Sequence, residues 1–443
     1  MLFYRDHVLD VLMLLEAYQE DVYAVKRSLT EMSRLLREKP ECRDDLHSHN
    51  FVARVCSCAQ AHAFDLDISI CLCIFLEQLL RHGDIDVGHH SYVVESGLWK
   101  IVFESMKRDS ENVELHVRGF ALIESLCYES PFVGHGELAD ISLSHDTSEP
   151  NQTDMVASGA LDMIRRTMDA KPIVEVLVAG AKTITGLCYK NKATAERAIK
   201  VDIFQLFSMT LHSFFKEPEV VKSIANAIFQ LLVATSELAQ HAFLQWGLID
   251  RFRACLASQV HDLDAQYSLF RAVEVALRYN GIADNVVVVQ RTDWVETAKD
   301  AFCAKEIPFH LVTNFEEMHE AFSTKTTSVA FICAVIFGSV AVSTNVENGT
   351  YTWSINPTRI QLLIKASVHL FATSSLTHFS KDVPVLEQCI RLIELLAMPG
   401  TYRTILIRAG ASRHIKYILS SHSHPGLRVL GERALVALDM TSS

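Results

Sequence analysis

The residues with the clearest potential for chemistry form a cysteine-rich stretch near the N-terminus. Cys56 and Cys58 precede Cys71 and Cys73, with His62 between the two pairs. Thiolates and an imidazole are ligands that tetrahedral zinc accepts. Residues two apart point about 200° apart around a helix, so a C-x-C pair within a helix chelates one ion poorly. We therefore predict buried structural cysteines, with a thiol or metal protein that uses the Cys56–Cys73 cluster as a less favoured alternative.

Acidic pairs and a histidine pair are the other candidate ligands. The chain has three D-x-D pairs, at Asp65 and Asp67, Asp84 and Asp86, and Asp262 and Asp264. Paired carboxylates can hold Mg²⁺ or act as acid and base. Asp is also favoured at helix starts, where it accepts hydrogen bonds from exposed N–H groups, and we prefer that interpretation. For His89 and His90, the lack of a third ligand at helical spacing favours a solvated loop.

Sequence motifs of the common enzyme classes are missing. The chain has no glycine-rich phosphate loop that ends in Lys-Ser or Lys-Thr, no G-x-G-x-x-G after a strand, no G-x-S-x-G and no H-E-x-x-H. We therefore expect a protein that is not an enzyme, with no catalytic residue, no bound cofactor and no metal.

The composition favours a helical protein that does not bind nucleic acid. The chain has 443 residues, 49% of them hydrophobic, and only 10 Pro and 17 Gly interrupt it. Its formal net charge of -12 opposes binding to phosphate backbones, which requires concentrated Lys and Arg. The odd number of 11 Cys and the lack of a secretion signal in residues 1–7 indicate a reducing compartment, so we expect a cytoplasmic protein.

One apolar run, at residues 328–342, raises the question of a membrane span. A spanning helix needs about 20 apolar residues, and this run ends before the polar residues Ser343, Thr344 and Asn345. A buried helix fits better. A buried hairpin stays open as an alternative, because periodicity does not separate strand from helix in a short apolar run.

A joint that consists of Gly followed by a new apolar helix recurs along the chain. Glycine suits such a joint because it tolerates the left-handed conformation that ends one helix and turns sharply into the next. A second helix follows each joint, with small residues on one side; residues 117–128 and 178–189 are examples, and both end in Leu-Cys-Tyr. The glycine joints are at Gly97, Gly159, Gly247 and Gly410.

The spacing of the joints supports helical repeats. Gly159, Asp202 and Gly247 are 43 and 45 residues apart, and armadillo and HEAT repeats have periods of about 40 to 47 residues. Over residues 90–280 and 384–440 the pattern resembles the armadillo/HEAT-type helical-repeat superfamily. The resemblance implies an all-α fold, an armadillo-like α-solenoid in which stacked helical repeats form a superhelix.

We expect a single solenoid over residues 1–443. The step of 62 residues from Gly97 to Gly159 indicates an inserted acidic loop. Residues 281–383 do not follow the repeat clearly, and a small strand element is possible there. The expected parts are an N-terminal helical cap at 1–92, the best-defined repeats at 93–280 with the loop at 129–156, an irregular segment at 281–383, and a C-terminal repeat or cap at 384–443.

The resemblance also bears on binding. Armadillo proteins that clamp basic peptides use a ladder of Trp and Asn on the third helix of each repeat. At the Asn positions this chain has Ser125, Gly186 and Gln230, and at the Trp positions it has Ala121, Lys182 and Asn226. We therefore do not expect nuclear-import cargo recognition. The predicted partner-binding residues are Glu124, Tyr128, Lys182, Tyr189, Asn226 and Gln230.

These observations favour a non-catalytic protein-binding scaffold or adaptor. Its groove would hold an extended peptide or a domain, and the acidic chain favours a basic partner segment. We expect it to work within a multiprotein complex, with a cytoskeletal or ciliary assembly as the suggested setting. The alternative within the binding class is a regulatory subunit of a larger enzyme.

Overall fold

The computed structural model describes residues 2–39, 51–81, 93–127, 148–235, 237–277, 288–318, 324–347 and 350–439. The chain divides into two compact units, Met1–Leu206 and Phe207–Ser443. Both are built from repeats of up to three helices, and the first helix is the shortest in most of the three-helix repeats.

The described elements of the first unit are all helices. Its third helices, α2 (Val22–Glu38), α4 (Leu66–Arg81), α6 (Val113–Cys127) and α9 (Val174–Cys188), pack side by side in that order. The helices are α1 (Leu2–Ala17), α2 (Val22–Glu38), α3 (Phe51–Ala61), α4 (Leu66–Arg81), α5 (Leu98–Arg108), α6 (Val113–Cys127), α7 (Ser148–Ala157), α8 (Ala160–Ala170), α9 (Val174–Cys188) and α10 (Lys192–Lys200), and α11 (Ile203–Phe214) contains the boundary.

The second unit repeats the same arrangement and adds one hairpin. Its third helices, α12 (Pro218–Thr235), α15 (Leu263–Leu277), α18 (Thr324–Ala341), α21 (Val383–Ala397) and α24 (Pro425–Asp439), also pack in sequence order. The elements are α12 (Pro218–Thr235), α13 (Glu237–Gln245), α14 (Leu248–Ser258), α15 (Leu263–Leu277), α16 (Val288–Ala304), α17 (Ile307–Met318), α18 (Thr324–Ala341), β1 (Val342–Glu347), β2 (Thr350–Ile355), α19 (Pro357–Lys365), α20 (Val368–His378), α21 (Val383–Ala397), α22 (Arg403–Arg408), α23 (Ala411–Ser421) and α24 (Pro425–Asp439).

The predicted joints between first and second helices are confirmed. Gly97, Gly159, Gly247 and Gly410 all have positive φ, between 63° and 96°. Asp202, which the spacing placed at the equivalent joint, has φ 60°. A left-handed residue at this point ends the first helix and reverses the chain into the second.

Residues 281–383 are more regular than the sequence suggested. They contain the three helices α16, α17 and α18 of one repeat and the first two helices of the next. The joints of these repeats are Glu306 and Ser367, with φ of 58° and 62°. Because neither joint is glycine, the glycine pattern did not find them.

Carboxylates and an amide cap the starts of several third helices, as predicted for two of the D-x-D pairs. Asp65 Oδ1 accepts from Ile68 N at 2.9 Å, and Asp262 Oδ1 accepts from Ala265 N at 2.8 Å. Asn112 and Asp382 do the same at the starts of α6 and α21. This confirms the helix-start interpretation for two D-x-D pairs. Asp84 and Asp86, like His89 and His90, lie outside the described residues.

Side chains from one repeat bind the turn carbonyls of the repeat before it. The His62 Nε2 donates to Gln19 O at 2.8 Å, and Arg108 donates to Ala63 O. In the second unit, Gln259 Nε2 donates to Phe215 O at 2.9 Å. These donors lie at or just beyond the ends of second helices, and each acceptor lies in the preceding repeat's turn between second and third helices. The bonds therefore fix the stacking of neighbouring repeats.

Part of the predicted inserted loop, 129–156, is helical. Helix α7 is the first helix of its repeat, and its Gln152 is fully buried. The Gln152 Nε2 donates to Gly186 O at 2.9 Å and to Tyr189 O at 3.0 Å, so it satisfies carbonyls at the end of α9. The polar sequence around Gln152 predicted a loop, but in the structure the Gln152 side chain caps the end of a neighbouring helix. Residues 128–147 lie outside the described residues.

The apolar run at 328–342 forms a buried helix up to Ala341, as predicted, and its last residue, Val342, begins a hairpin. Helix α18 ends at Ala341, and β1 pairs with β2 in an antiparallel register that sets Val342 opposite Ile355. Lys299 Nζ donates to Val342 O at 3.0 Å, and Lys299 also pairs with Glu296 at 3.0 Å. Within the described ranges, no helix combines the length and apolar content that a membrane span requires.

Replacing Asp382 with alanine should lower the free energy of unfolding by about 1 kcal/mol. The Asp382 side chain accepts from Val385 N at 3.0 Å at the start of α21, and this hydrogen bond would be lost. Urea denaturation followed by circular dichroism measures the effect. Lys381→Ala, at the exposed neighbouring residue, is the matched control. Equal stability of D382A and K381A would contradict the prediction.

Candidate functional site

The cysteine-rich stretch does not assemble a metal site. Cys56 Sγ donates to Ser96 O at 3.1 Å, and Cys71 Sγ lies 3.8 Å from Thr30 Oγ1. His62 is occupied elsewhere, in the bond to Gln19 described above. Among the residues that the structure describes, no three His, Cys, Asp or Glu side chains converge as metal binding requires.

Burial also keeps these thiols protonated. It raises the pKa of Cys56, Cys58 and Cys73, whereas a metal ligand or a nucleophile has to be a thiolate. Cys73 is fully buried, and Cys56 and Cys58 are nearly so. The prediction of buried structural cysteines is therefore confirmed for these three, while Cys71 is partly exposed.

The outer faces of the third helices form rows in the first unit. When the first residue of each helix is counted as position one, the second, fifth, ninth and twelfth positions lie on one helical face. Because the helices pack side by side, equivalent positions on neighbouring helices are adjacent. The rows are Asp67, Glu114 and Glu175 (second), Ile70, Val117 and Val178 (fifth), Ile74, Ala121 and Lys182 (ninth), and Glu77, Glu124 and Thr185 (twelfth).

An apolar strip runs across α4, α6 and α9. We define it as the five apolar residues of the fifth and ninth rows, and all five are partly exposed. The helices do not cover these side chains completely, so a ligand can remove further apolar surface from water at this face. The strip consists of Ile70, Ile74, Val117, Ala121 and Val178.

Acidic residues border the strip on both sides. Asp67, Glu114 and Glu175 are exposed and lie in the first turns of their helices, where the N-terminal end of the helix dipole stabilises negative charge. Glu77 and Glu124 lie on the other side, near the helix C-termini. We call these five carboxylates the acidic border.

Within the acidic border, cations on one third helix interact with carboxylates on a neighbouring third helix. Arg118 on α6 pairs with Glu77 on α4 at 3.2 Å. Lys26 on α2 pairs with Asp67. Lys182 on α9 attracts Glu124 on α6 and lowers its pKa, but burial raises that pKa by more, so the net shift is upward. Three cations lie beside the five carboxylates of the acidic border, so the net charge of the border is negative.

The second unit carries a mixed face on α12 and α15. Lys222 Nζ lies 3.5 Å from Asp264 Oδ2. The guanidinium of Arg271 lies 3.9 Å from the centre of the Phe229 ring, within the range of a cation–π interaction. Lys222 is at position five of α12 and Asp264 is at position two of α15. Phe229 is at position twelve of α12 and Arg271 is at position nine of α15. The same two offsets occur in the first unit, at Lys26 with Asp67 and at Glu124 with Lys182.

The structure describes five of the six predicted binding residues, and these five are distributed over both units. Glu124 and Lys182 lie close together on neighbouring third helices. Tyr189 is partly exposed at the end of α9, and Tyr128 lies outside the described residues. Asn226 is partly exposed on α12, whereas Gln230 is only 7% exposed and offers little surface to a ligand.

Sequence reasoning missed the apolar strip and most of the acidic border. The Trp and Asn ladder of armadillo proteins corresponds to the ninth and thirteenth positions of each third helix, and the second and fifth positions are not part of it. The available signal was the acidic residue two positions into α4, α6 and α9, followed three residues later by Ile or Val. Aligning the third helices by their starts brings out that pattern.

Comparisons with known proteins bear on the fold. No protein-family model matches the chain. A search of curated proteins finds no match. A crystal structure described as an engineered protein is similar over 98% of this chain and 99% of its own, with a TM-score of 0.69 and 12% identity. At that identity the similarity concerns the fold alone, which is an all-α, armadillo-like solenoid.

A second solved structure is a designed armadillo repeat protein in complex with the peptide (KR)4. It matches 63% of this chain and 99% of its own length, with a TM-score of 0.47 and 14% identity.

Replacing Lys182 with methionine should destabilise the protein at neutral pH and have little effect near pH 4. Burial raises the folded-state pKa of Glu124 above 4.5, so its contribution to stability is present below that pH and is lost as the pH rises. Lys182 limits this loss of stability because its positive charge lowers the pKa of Glu124. Without it, the pKa of Glu124 should rise further, so the two proteins should diverge in stability with increasing pH.

Urea unfolding of wild type and K182M at about pH 4 and about pH 7 tests this linkage. Lys182→Arg keeps the charge and should follow the wild type. A difference between wild type and K182M that is the same at both pH values would show that Lys182 acts through packing instead.

Proposed function

We propose that this protein is a non-catalytic scaffold that holds an extended, basic segment of a partner protein along the apolar strip of its first unit. The observation that carries the proposal is the strip itself, five partly exposed Ile, Val and Ala residues on three neighbouring third helices, bordered by five carboxylates. Apolar burial supplies affinity at such a surface, while charge selects the partner.

The charge balance at the strip favours a basic ligand. Glu114 and Glu175 are exposed beside Val117 and Val178, and no cation is paired with either in the ion pairs of the described residues. Lys or Arg on a bound segment would complement these carboxylates, and an acidic segment would be repelled. The net charge of -12 on the whole chain acts in the same direction during encounter.

The spacing of the third helices predicts the pattern of the ligand. Packed helices are about 8–10 Å apart, and an extended chain advances about 3.3 Å per residue. A segment that crosses the helices therefore advances about three residues per helix. We expect one apolar residue in every three to contact the strip, with Lys or Arg between them to reach the two sides of the acidic border.

Two finer aspects of function stay predictions. A place in a cytoskeletal or ciliary assembly rests on the resemblance to armadillo proteins. Membership of a larger enzyme complex as a regulatory subunit has no specific support from the contacts described above.

A peptide of Lys-Lys-Leu repeats should bind the protein, and a peptide of Glu-Glu-Leu repeats should not. Fluorescence anisotropy of labelled peptides measures both affinities. The double variant E114K/E175K should weaken binding of the basic peptide by at least about tenfold, because two carboxylates of the border become cations. Affinity of the wild type should also fall as salt is added.

The double variant E104K/D169K is the matched control. Glu104 and Asp169 are exposed on the second helices α5 and α8 of the same unit, so the net charge changes equally but the strip is untouched. Equal loss of binding in both double variants would show that overall charge, and not the strip, determines binding. Equal binding of the two peptides to the wild type would contradict the proposed ligand class.

A further inference from the structure

The register of the hairpin β1–β2 determines which backbone groups point out of it. Asn356 N donates to Ala341 O at 3.0 Å just beyond the base of the hairpin, and the pairing continues without interruption from there toward the tip. Opposite residues of an antiparallel pair alternate between hydrogen-bonded and non-hydrogen-bonded pairs. On β2, the residues in non-hydrogen-bonded pairs are therefore Tyr351, Trp353 and Ile355, and their N–H and C=O groups point away from β1.

The outer edge of β1 is occupied at its base. The C=O of Val342, the first residue of β1, points outward and accepts from Lys299 Nζ at 3.0 Å and from Arg359 Nη1 at 3.3 Å. Both cations are almost fully buried, with 2% and 3% of their surface exposed. Helix α16 also packs against β1. These groups therefore block a further strand from pairing along this edge.

The outer edge of β2 lacks the usual protection of an edge strand. In the described part of the chain, no strand other than β1 pairs with β2. Residues 350–355 contain no charged residue and no proline, and the continuous register leaves no bulge. Soluble proteins normally protect open edges with such features, because unpaired N–H and C=O groups bind another strand. Trp353 is 61% exposed on this strand. The open edge therefore fits a second extended backbone.

The open edge is complementary to itself. Its outward-pointing residues are spaced evenly about Trp353, so a twofold axis there places Trp353 opposite Trp353 of the partner subunit. The same axis places Tyr351 opposite Ile355 of the partner subunit, and the outward N–H and C=O groups of the two strands then pair. The two Trp353 rings form an opposed aromatic pair, which stabilises the centre. Because residues 350–355 are uncharged, two chains of net charge -12 meet here without opposed charges.

We propose that β2 is a dimerisation edge, at which two copies of this protein join their hairpins into one four-stranded antiparallel sheet. A second copy supplies both the matching register and the opposing aromatic residue from its own sequence. Since the outer edge of β1 is blocked in each copy, the sheet ends there on both sides and the assembly closes as a dimer. The contact is smaller than a standard interface, so the dimer should be weak and concentration-dependent. The proposal is independent of the peptide-binding strip, which lies on α4, α6 and α9.

Sedimentation equilibrium of the full chain tests the proposal. The average mass of the wild type should rise above the monomer mass of 49.7 kDa with concentration. Trp353→Lys and Trp353→Glu should each raise the dimer dissociation constant at least about tenfold, because like charges would lie directly opposite each other at the axis. An equimolar mixture of W353K and W353E should form dimers again, because opposite charges then meet.

Phe309→Lys is the matched control for these variants. Phe309 is 54% exposed on α17 of the same unit, so the variant also replaces an exposed aromatic residue by a cation. F309K should dimerise like the wild type, and circular dichroism should show unchanged folding for all three variants. An equal loss of dimers in F309K would show that association does not depend on the hairpin and would overturn the proposal.

Disulfide trapping tests the register. Trp353→Cys should crosslink to itself, because opposite Cα atoms of a hydrogen-bonded pair are about 5.5 Å apart, within the reach of a disulfide. Ile355→Cys should crosslink far less, because its two cysteines would be about 13 Å apart along the strands. A wild type that stays monomeric overturns the proposal, even if a foreign strand binds the hairpin. Dimers that persist in W353K alone, or crosslinks in I355C as strong as in W353C, overturn it as well.

Discussion

Helix ends in this protein are satisfied by the neighbouring helix or the neighbouring repeat, and the stack depends on this. The last carbonyls of a helix have no partner within it, and buried carbonyls without partners are costly. Gln152 supplies the missing donor to the end of α9, and His62, Arg108 and Gln259 supply donors to turns of preceding repeats. Each such bond fixes the position of one element against another. Hydrophobic contact alone would let helices slide, whereas a directed hydrogen bond sets their register.

The third helices use one set of positions for two purposes. The second, fifth, ninth and twelfth residues contact the neighbouring repeat and also form the outer face. In the first unit these rows also pair charges across helices, as Lys26 with Asp67 and Lys182 with Glu124, but the Ile and Val residues of the rows stay partly exposed, so the face remains available for a ligand. On α12 and α15 the same rows are filled by the Lys222–Asp264 pair and by Arg271 over Phe229, so the side chains are engaged with each other. Local side-chain choice therefore decides which part of a repetitive surface can bind.

The cysteines illustrate how burial removes chemistry that composition suggests. Cys56, Cys58, Cys71 and Cys73 with His62 contain suitable ligand atoms for zinc. In the folded chain, Cys56 points to Ser96, Cys71 to Thr30 and His62 to Gln19. Loss of solvent around the thiols favours their neutral form, which neither binds metal nor attacks a substrate readily.

The sequence by itself determined the helical repeat and its joints at Gly97, Gly159, Asp202, Gly247 and Gly410, because left-handed backbone and helix caps are local requirements of the chain. It also determined the burial of residues 328–342 through their apolar content. Joints at Glu306 and Ser367 escaped detection, since there tertiary packing holds a residue whose type does not itself demand a left-handed backbone. The apolar strip was decided only by the tertiary structure. Side chains from distant repeats become neighbours when third helices stack, and that adjacency depends on the register between repeats.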